Sequence, residues 1–332
     1  MGLRFCLLAY CLSASLCFSQ TLSAAPSTTV PESQTPSKIV AAHDRGERDI
    51  DSIGTRNLGC GRGFGNWYSL GRQMAMGKQY SEQIEATSKL VKDPAIVEYV
   101  NQIGQNLVRN SDSQVPFTIK VIESDDVNAF ALPGGYFYVD TGLILAAENE
   151  AELAGVMAHE IAHVAACHAA RSRTRGQLMN MASIPLMLVG GPVGYAAYEG
   201  LTIATPLTFF RFSRKFEAEA DFLGVQYMYK AGYDPQALTS FFERVKAMET
   251  RHENPVAKAF RTHPQTRDRI LKTQNEIATL LPPETQYKVD SSDFENVKDR
   301  LNKLEGGLQI HNANHPTLKR RPSIDAHPSV PD

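Results

Sequence analysis

Residues 148–172 read ENEAELAGVMAHEIAHVAACHAARS, and they predict a helix that carries an HExxH motif. Ala, Leu, Glu and Met are strong helix formers, and the stretch contains no proline. Because His159 and His163 are four residues apart, both imidazoles lie on one face of the helix, where they can share a metal ion. Glu160 lies beside them, where it can take the proton of a metal-activated water. The pattern indicates zinc hydrolase chemistry.

The composition is that of an ordinary globular protein. The chain has 332 residues, of which 42% are hydrophobic and 21% are charged, so it can form one large domain or two small ones around a substantial core. The net charge is −2 at pH 7, and the sequence contains no basic stripe. We therefore expect no nucleic-acid partner.

The first 19 residues are typical of a signal peptide. A short positive start at 1–4 precedes an apolar stretch at 5–18 that is too short to span a bilayer comfortably. Cleavage after Ser19 fits the small-residue rule, whereas lipidation is disfavoured because Leu16 precedes Cys17. The sequence thus predicts an exported protein of the periplasm or cell envelope.

Hydrophobic periodicity predicts the elements that precede the HExxH helix. Residues 20–67 are rich in Ser, Thr and Pro and then in Gly, which indicates a disordered linker. Next we expect helices over 73–90 and 94–110, followed by a strand over 116–122. Residues 128–139 read as a strand or short hairpin around Pro-Gly-Gly.

The C-terminal part of the chain is predicted to be helical. The last helix of the catalytic region ends before Pro282, so we place the boundaries of a peptidase-like domain at 68–285. A C-terminal helix over 286–305 and a disordered tail over 306–332 follow.

An ambiguous apolar segment spans residues 179–210. It carries a single charge, Glu199, but Pro185, Pro192 and several glycines interrupt it. Such a cluster disfavours a continuous membrane helix and favours a buried or lid-forming helical hairpin. Peripheral membrane contact through this segment stays open.

Two histidines do not complete a zinc site, which needs a third protein ligand and an open position. His168 is one candidate, but it lies nine residues after His159, and the positions that metzincins give to Gly and His are Ala166 and Ala169 here. A carboxylate from a second helix is the other candidate.

The stretch FEAEAD at residues 216–221 offers that carboxylate. Glu217 and Asp221 are four residues apart and share a helix face, whereas Glu219 is turned away from it. Glu217 would ligate the metal, and Asp221 would accept the free N–H of a ligand imidazole. The alternative is a solvated acidic face, but the upstream HExxH favours the metal site.

Two cysteines, Cys60 and Cys167, follow the predicted signal peptide. We expect Cys167 to be a small buried thiol one turn beyond His163. A disulfide between the two cysteines is the alternative in an oxidising compartment.

Four motifs in the chain resemble those of the zinc endopeptidases of peptidase family M48. They are NAFALPGGYFYVDTGLI at 128–144, HEIAH at 159–163, SRKFEAEAD at 213–221 and THPQTRDR at 262–269. The resemblance covers roughly residues 68–281 and implies a zincin-like, gluzincin-type α+β fold. Such a fold has a mostly helical body and a small mixed sheet whose edge strand borders the active-site cleft.

The resemblance also implies roles for individual residues. One zinc ion per chain would be bound by His159, His163 and Glu217, with Glu160 as the general base and Asp221 as the partner of a ligand imidazole. His263 would lie near the metal, where it can stabilise the oxyanion or occupy the open coordination position. Arg269 would hold its helix rather than touch the substrate. The substrate would bind along the edge strand at Asn128, Ala129, Phe130 and Ala131.

The predicted function is zinc-dependent hydrolysis of extended polypeptides, in particular misfolded or unassembled envelope proteins. One alternative is a zinc-containing, chaperone-like binding module whose hydrolysis is silenced, with His263 closing the metal site. Another is a peptidase anchored in the membrane through residues 179–210. The oligomeric state stays open.

Overall fold

The computed structural model describes residues 46–189, 212–249, 263 and 267–313. The predicted signal peptide lies outside these residues, as do most of the predicted linker, residues 190–210 of the apolar segment and residues 314–332 of the tail. The residues described belong to one compact unit that begins at His43.

Nine α-helices and three strands make up the described part of the chain. The helices are α1 Leu70–Thr87, α2 Pro94–Arg109, α3 Thr141–Ala146, α4 Glu150–Ala165, α5 His168–Val189, α6 Arg214–Lys230, α7 Gln236–Glu249, α8 Arg267–Leu280 and α9 Ser292–Ala313. The strands are β1 Thr118–Ile122, β2 Ala129–Leu132 and β3 Tyr136–Asp140, and a short 3₁₀ helix spans Ile50–Ser52. The predicted α+β class, a mostly helical body with a small mixed sheet, is confirmed.

Side-chain caps explain several helix starts. Asp93 accepts hydrogen bonds from the backbone N–H groups of Ala95 and Ile96, and Pro94 occupies the first helical position, where its missing N–H costs little. Asn149 caps α4 in the same way, through the N–H of Glu152. At the C-terminal end, α9 reaches Ala313, so the first eight residues of the predicted disordered tail are helical.

The sheet has the strand order β1–β3–β2, with β1 parallel and β2 antiparallel to β3. The predicted hairpin forms β2 and β3, and its turn requires Gly134 and Gly135 because both have positive φ angles, 81° and 91°. A Cβ at Gly135 would lie 2.1 Å from the carbonyl oxygen of Pro116. The turn therefore packs directly on the start of β1, and β2 is left at the edge of the sheet.

Helix α4 lies at the centre of the fold. All of its residues except Val164 are buried, which is typical of a helix surrounded by other elements. Helix α6 packs along it so closely that a Cβ at Gly224 would lie 3.3 Å from the Cα of His159. This close approach brings the side chains of α6 to the HExxH face of α4.

Several residues of 46–67 are buried against the domain, among them Arg56, Leu58 and Cys60, whereas residues 61–65 are exposed, so the predicted disordered linker is corrected only for the buried part. Arg56 is only 3% exposed, and it pairs with the buried Asp112. Cys60 forms a disulfide with Cys167, with their Cα atoms 5.2 Å apart, so the expected free thiol is wrong. Local composition could not reveal either contact, because each joins residues far apart in sequence.

The first part of the ambiguous apolar segment continues α5. The helix passes Pro185 and ends at Val189, although a proline removes one helical hydrogen bond. Met179 and Met181 are 68% and 59% exposed. Among the described residues, no helix is both long and apolar enough to cross a membrane.

We expect Asp140→Asn to stabilise the protein at about pH 8 but not at about pH 4. Burial, together with the nearby Asp126, raises the pKa of Asp140 from 3.8 to about 7. The folded state thus holds this proton more tightly than the unfolded chain does, and stability is lost as the pH rises from about 4 to about 7. The rise of about three units in the pKa corresponds to about 4 kcal/mol, so removing the charge should restore up to about 4 kcal/mol at the higher pH. Urea unfolding of both proteins at the two pH values tests this, and an equal difference at both would contradict it.

Candidate metal centre

Helices α4 and α6 bring two imidazoles and a carboxylate together. The Nε2 atoms of His159 and His163 are 3.1 Å apart. From α6, Glu217 places Oε2 3.5 Å from Nε2 of His159 and Oε1 3.6 Å from Nε2 of His163. Each of the three residues is at most 3% exposed. Three donor groups therefore converge on one point inside the protein.

The spacing of these donors fits zinc. Tetrahedral zinc with bonds of about 2.0–2.1 Å has ligand atoms about 3.3 Å apart. The two Nε2 atoms are 3.1 Å apart, and one Glu217 oxygen lies 3.5 Å from the first and the other 3.6 Å from the second, all close to this value. Two neutral imidazoles and one carboxylate are also a donor set that catalytic zinc uses.

A second carboxylate stands behind His159. Oδ1 of Asp221 lies 3.0 Å from Nδ1 of the ring, on the side away from Glu217. Arg269 of α8 contacts both carboxylates, with Nε 2.7 Å from Asp221 Oδ2 and Nη1 3.0 Å from Glu217 Oε2. The sequence had suggested only that Arg269 holds its helix. Its place between the two acids depends on how α8 packs on α6.

The electrostatics of the site favour an ionised Glu217. Burial opposes ionisation of Glu217, but the nearby His263 and His159 hold the pKa of Glu217 well below its usual range. Burial lowers the pKa of His163 well below 6.5, so this ring is neutral. Burial also disfavours charge on His159, yet its contacts with Asp221 and Glu217 raise its pKa to about 9. A metal ion would have to displace that proton.

Glu160 lies between strand β2 and the converging side chains of His159, His163 and Glu217, which we call the metal group. Its carboxylate is 4% exposed and accepts a hydrogen bond from the backbone N–H of Ala131. Burial raises the pKa of Glu160 above 4.5. A carboxylate with a raised pKa holds a proton more readily during proton transfer.

His263 belongs to the same group. Its Nδ1 lies 2.8 Å from Glu217 Oε1, and its Nε2 lies 3.6 Å from Glu160 Oε1. Together with His159, His163 and Glu217 it offers a fourth buried ligand atom, all four within 4.8 Å of one another. The structure thus brings the side chain of His263 to the other three donors.

The edge strand β2 presents its backbone beside Glu160. The N–H of Asp140 donates to the carbonyl of Asn128, which makes these two a hydrogen-bonded antiparallel pair. Because such pairs alternate along a ladder, Ala129 and Ala131 direct their backbone groups away from β3. Phe130 stacks on Tyr138 of β3 at 5.2 Å. The outward-facing backbone of β2 therefore borders the metal group.

His168, the other sequence candidate for the third ligand, is not among the converging donors. Its Nδ1 lies 2.9 Å from Nδ1 of His163, on the far side of that ring. Glu219 is likewise on the far side, where Arg171 binds it. The ring of Phe212 stacks on His163 at 4.2 Å, a contact the sequence did not indicate.

The comparison with known families decides the classification. The sequence profile of Peptidase family M48 matches residues 94–277, which include both strands of the hairpin and helices α4 and α6. The chain belongs to peptidase family M48. The resemblance inferred from the four motifs is thereby confirmed, and so is the prediction of a family M48 metalloendopeptidase at the level of the family.

Several curated proteins are similar to this chain. The Beta-barrel assembly-enhancing protease of Escherichia coli (strain K12) is 32% identical over 248 residues, which are 72% of this chain and 50% of the relative. The Putative beta-barrel assembly-enhancing protease of Vibrio cholerae is 34% identical over 227 residues, 66% of this chain and 46% of the relative. The Mitochondrial metalloendopeptidase OMA1 of Schizosaccharomyces pombe is 33% identical over 200 residues, 59% and 56% of the two chains. The chain thus spans about half the length of the relatives it matches.

Proposed function

We propose that this protein is a zinc-dependent endopeptidase that cleaves misfolded or unassembled proteins of the cell envelope. The observation that carries the proposal is the convergence of His159, His163 and Glu217 at zinc-like spacing, with Glu160 beside them. Membership of family M48 supports the same activity.

His159, His163 and Glu217 would hold the metal, and Glu160 would handle the protons. When bound there, zinc supplies a Lewis acid that polarises the scissile carbonyl and makes water a better nucleophile at neutral pH. Glu160 accepts the proton of the attacking water and delivers it to the leaving amine, a transfer that its raised pKa favours. His263, whose Nε2 lies 3.6 Å from Glu160 Oε1, would donate a hydrogen bond to the developing oxyanion.

The substrate would bind as an additional strand beside β2. Backbone groups of β2 that face away from β3, such as the carbonyl of Ala131, would pair with an extended peptide, and the N–H of Ala131, which Glu160 holds, would keep the peptide main chain next to Glu160. Recognition through the main chain depends little on side chains. Unfolded polypeptides are therefore the substrates that suit this edge, whereas folded proteins do not expose such a strand.

The envelope location rests on three observations. Residues 1–19 are typical of a signal peptide. The Cys60–Cys167 disulfide is typical of proteins in oxidising compartments. Two relatives are named as beta-barrel assembly-enhancing proteases. Fractionation of expressing cells tests whether the protein is exported. Carbonate extraction of the membranes tests whether it is anchored through residues 179–210.

The test of the proposed function is hydrolysis of casein and of an unfolded outer-membrane protein by the mature protein. We expect cleavage that a zinc chelator abolishes and that added zinc restores, because loss of the metal removes its stabilisation of the transition state. Cleavage that persists after the metal has been removed and shown to be absent would contradict the proposal.

His263→Ala separates the peptidase from a silenced binding module. If His263 closes the metal site, its removal should raise the rate of casein hydrolysis, since the open position becomes available to water. If it stabilises the oxyanion, the rate should fall by about 10²–10³-fold. If neither the wild type nor this variant cleaves any substrate with zinc bound, the chaperone-like alternative replaces the proposal.

A further inference from the structure

His168 lies directly behind the second histidine of the HExxH motif. It is 0% exposed, and its Nδ1 is 2.9 Å from Nδ1 of His163, which is a hydrogen-bonding distance. Its ring stacks on Phe216 of α6 at 4.4 Å, so its orientation is held by packing. The His163 nitrogen in this contact is the one that faces away from the metal group.

The other nitrogen of His168 faces a carboxylate. Nε2 of His168 lies 3.5 Å from Oε2 of Glu219, an electrostatic contact that is longer than an ordinary hydrogen bond. Arg171 binds the same carboxylate, with Nη1 2.7 Å from Oε1 and Nη2 3.3 Å from Oε2. Arg171, Glu219, His168 and His163 therefore form a continuous series of polar contacts, which we call the His168 network.

The polarity of the His168 network, that is, which atoms donate a hydrogen and which accept one, follows from the groups at its two ends. An ionised carboxylate only accepts hydrogen bonds, so the neutral His168 ring presents N–H to Glu219 at Nε2. Its Nδ1 is then a bare acceptor, and the hydrogen between the two rings belongs to Nδ1 of His163. That tautomer leaves Nε2 of His163 unprotonated, as a metal ligand must be. The opposite polarity would place a bare nitrogen against the carboxylate and a proton on the ligand atom.

We propose that His168 and Glu219 are positioning residues that hold His163 in its metal-binding tautomer and orientation. The inference rests on the proposed function only in that His163 binds zinc. It gives the second ligand imidazole a support like the one that Asp221 and Arg269 give to His159. In each case the histidine nitrogen that faces away from the metal group contacts polar side chains, and these end in an arginine–carboxylate pair.

Glu219→Gln tests the polarity of the His168 network. Arg171 should keep the amide oxygen, which leaves the amide N–H₂ facing Nε2 of His168. This donor reverses the donor and acceptor roles in both contacts and favours a proton on Nε2 of His163. Partners of metal ligands typically change metal affinity by 10–100-fold when replaced, so we expect the zinc dissociation constant to rise by about that factor. Glu219→Ala, which removes the carboxylate without adding a donor, should raise it less.

His168→Phe tests the ring contact. Phenylalanine can keep the stacking on Phe216 but cannot accept the hydrogen from His163. We again expect a rise of about 10–100-fold in the zinc dissociation constant, measured by competition with a chromophoric chelator.

Thr174→Val is the matched control. Thr174 is also 0% exposed on α5, and its hydroxyl accepts from the N–H of Trp67 and donates to the carbonyl of Ala170. Its loss should lower the melting temperature of the metal-free protein without changing zinc affinity. If the role of His168 were purely structural, His168→Phe would likewise lower the melting temperature without changing zinc affinity.

The outcomes separate the inference from the proposed function. If the wild type binds no zinc, the proposed function fails. If the wild type binds zinc and the Glu219 and His168 variants bind it within about twofold as tightly, the inference is wrong. Glu219 is partly accessible, with 10% of its side chain exposed, so its variants carry the test if His168→Phe does not fold.

Discussion

Glu160→Gln is expected to abolish peptide hydrolysis while zinc binding is retained. The amide has the shape of the carboxylate, and its oxygen can still accept the hydrogen bond from the N–H of Ala131. It cannot take the proton of the attacking water. General acid–base groups contribute about 10²–10⁴-fold to rates, so the rate of casein hydrolysis should fall by at least that range.

Glu152→Gln is the control for this result. Glu152 is also a buried glutamate of α4, 2% exposed, but it pairs with Arg244 near the start of the helix, away from the metal group. This variant should lose some stability and keep its activity. Zinc content, measured for both variants by atomic absorption, shows that the site is filled. If Glu160→Gln cleaves casein at the rate of the control, Glu160 is not the general base.

Arg56→Leu is expected to lower the free energy of unfolding by about 3–5 kcal/mol. The side chains of Arg56 and Asp112 are 0% and 1% exposed, and Arg56 also donates to Gln226 of α6. Removing the cation leaves the carboxylate buried beside Tyr227, whose hydroxyl donates to it but brings no charge. The cost arises from that uncompensated charge, which cannot reach water.

Arg300→Leu is the matched control for the buried pair. Arg300 forms the same kind of pair, with Nε 2.6 Å from Asp93 Oδ2, but its side chain is 54% exposed. Exposed pairs contribute about 0–1 kcal/mol, so this variant should unfold almost as the wild type does. Equal losses in both variants, measured by urea unfolding of the zinc-free proteins, would mean that burial does not set the cost.

The motifs identified the candidate site because their geometry is local. In HExxH and FEAEAD, four-residue spacings within one helix place side chains on a common face whatever the rest of the chain does. The sequence therefore predicted that His159 and His163 lie together and that Glu217 and Asp221 do so as well. Alternation around Pro-Gly-Gly likewise predicted β2 and β3.

Tertiary packing decided how those faces meet and what supports them. The parallel pairing of β1 with β3 leaves β2 at the edge, and the close passage of α6 along α4 at Gly224 joins the two helix faces. The contacts of Arg269 with Asp221 and of Arg56 with Asp112 connect residues 48 and 56 positions apart.

The division between what the sequence predicted and what only tertiary packing decided has one physical reason. Residues within one helix or hairpin have their separations set by backbone periodicity, so the sequence predicted which side chains share each helix face of the candidate metal site. The His168 network, the buried ion pairs and the Cys60–Cys167 disulfide have no such period, since they depend on how whole elements pack. Only the three-dimensional fold could show that His168, first a candidate ligand, contacts the ring nitrogen of His163 that faces away from the other donors.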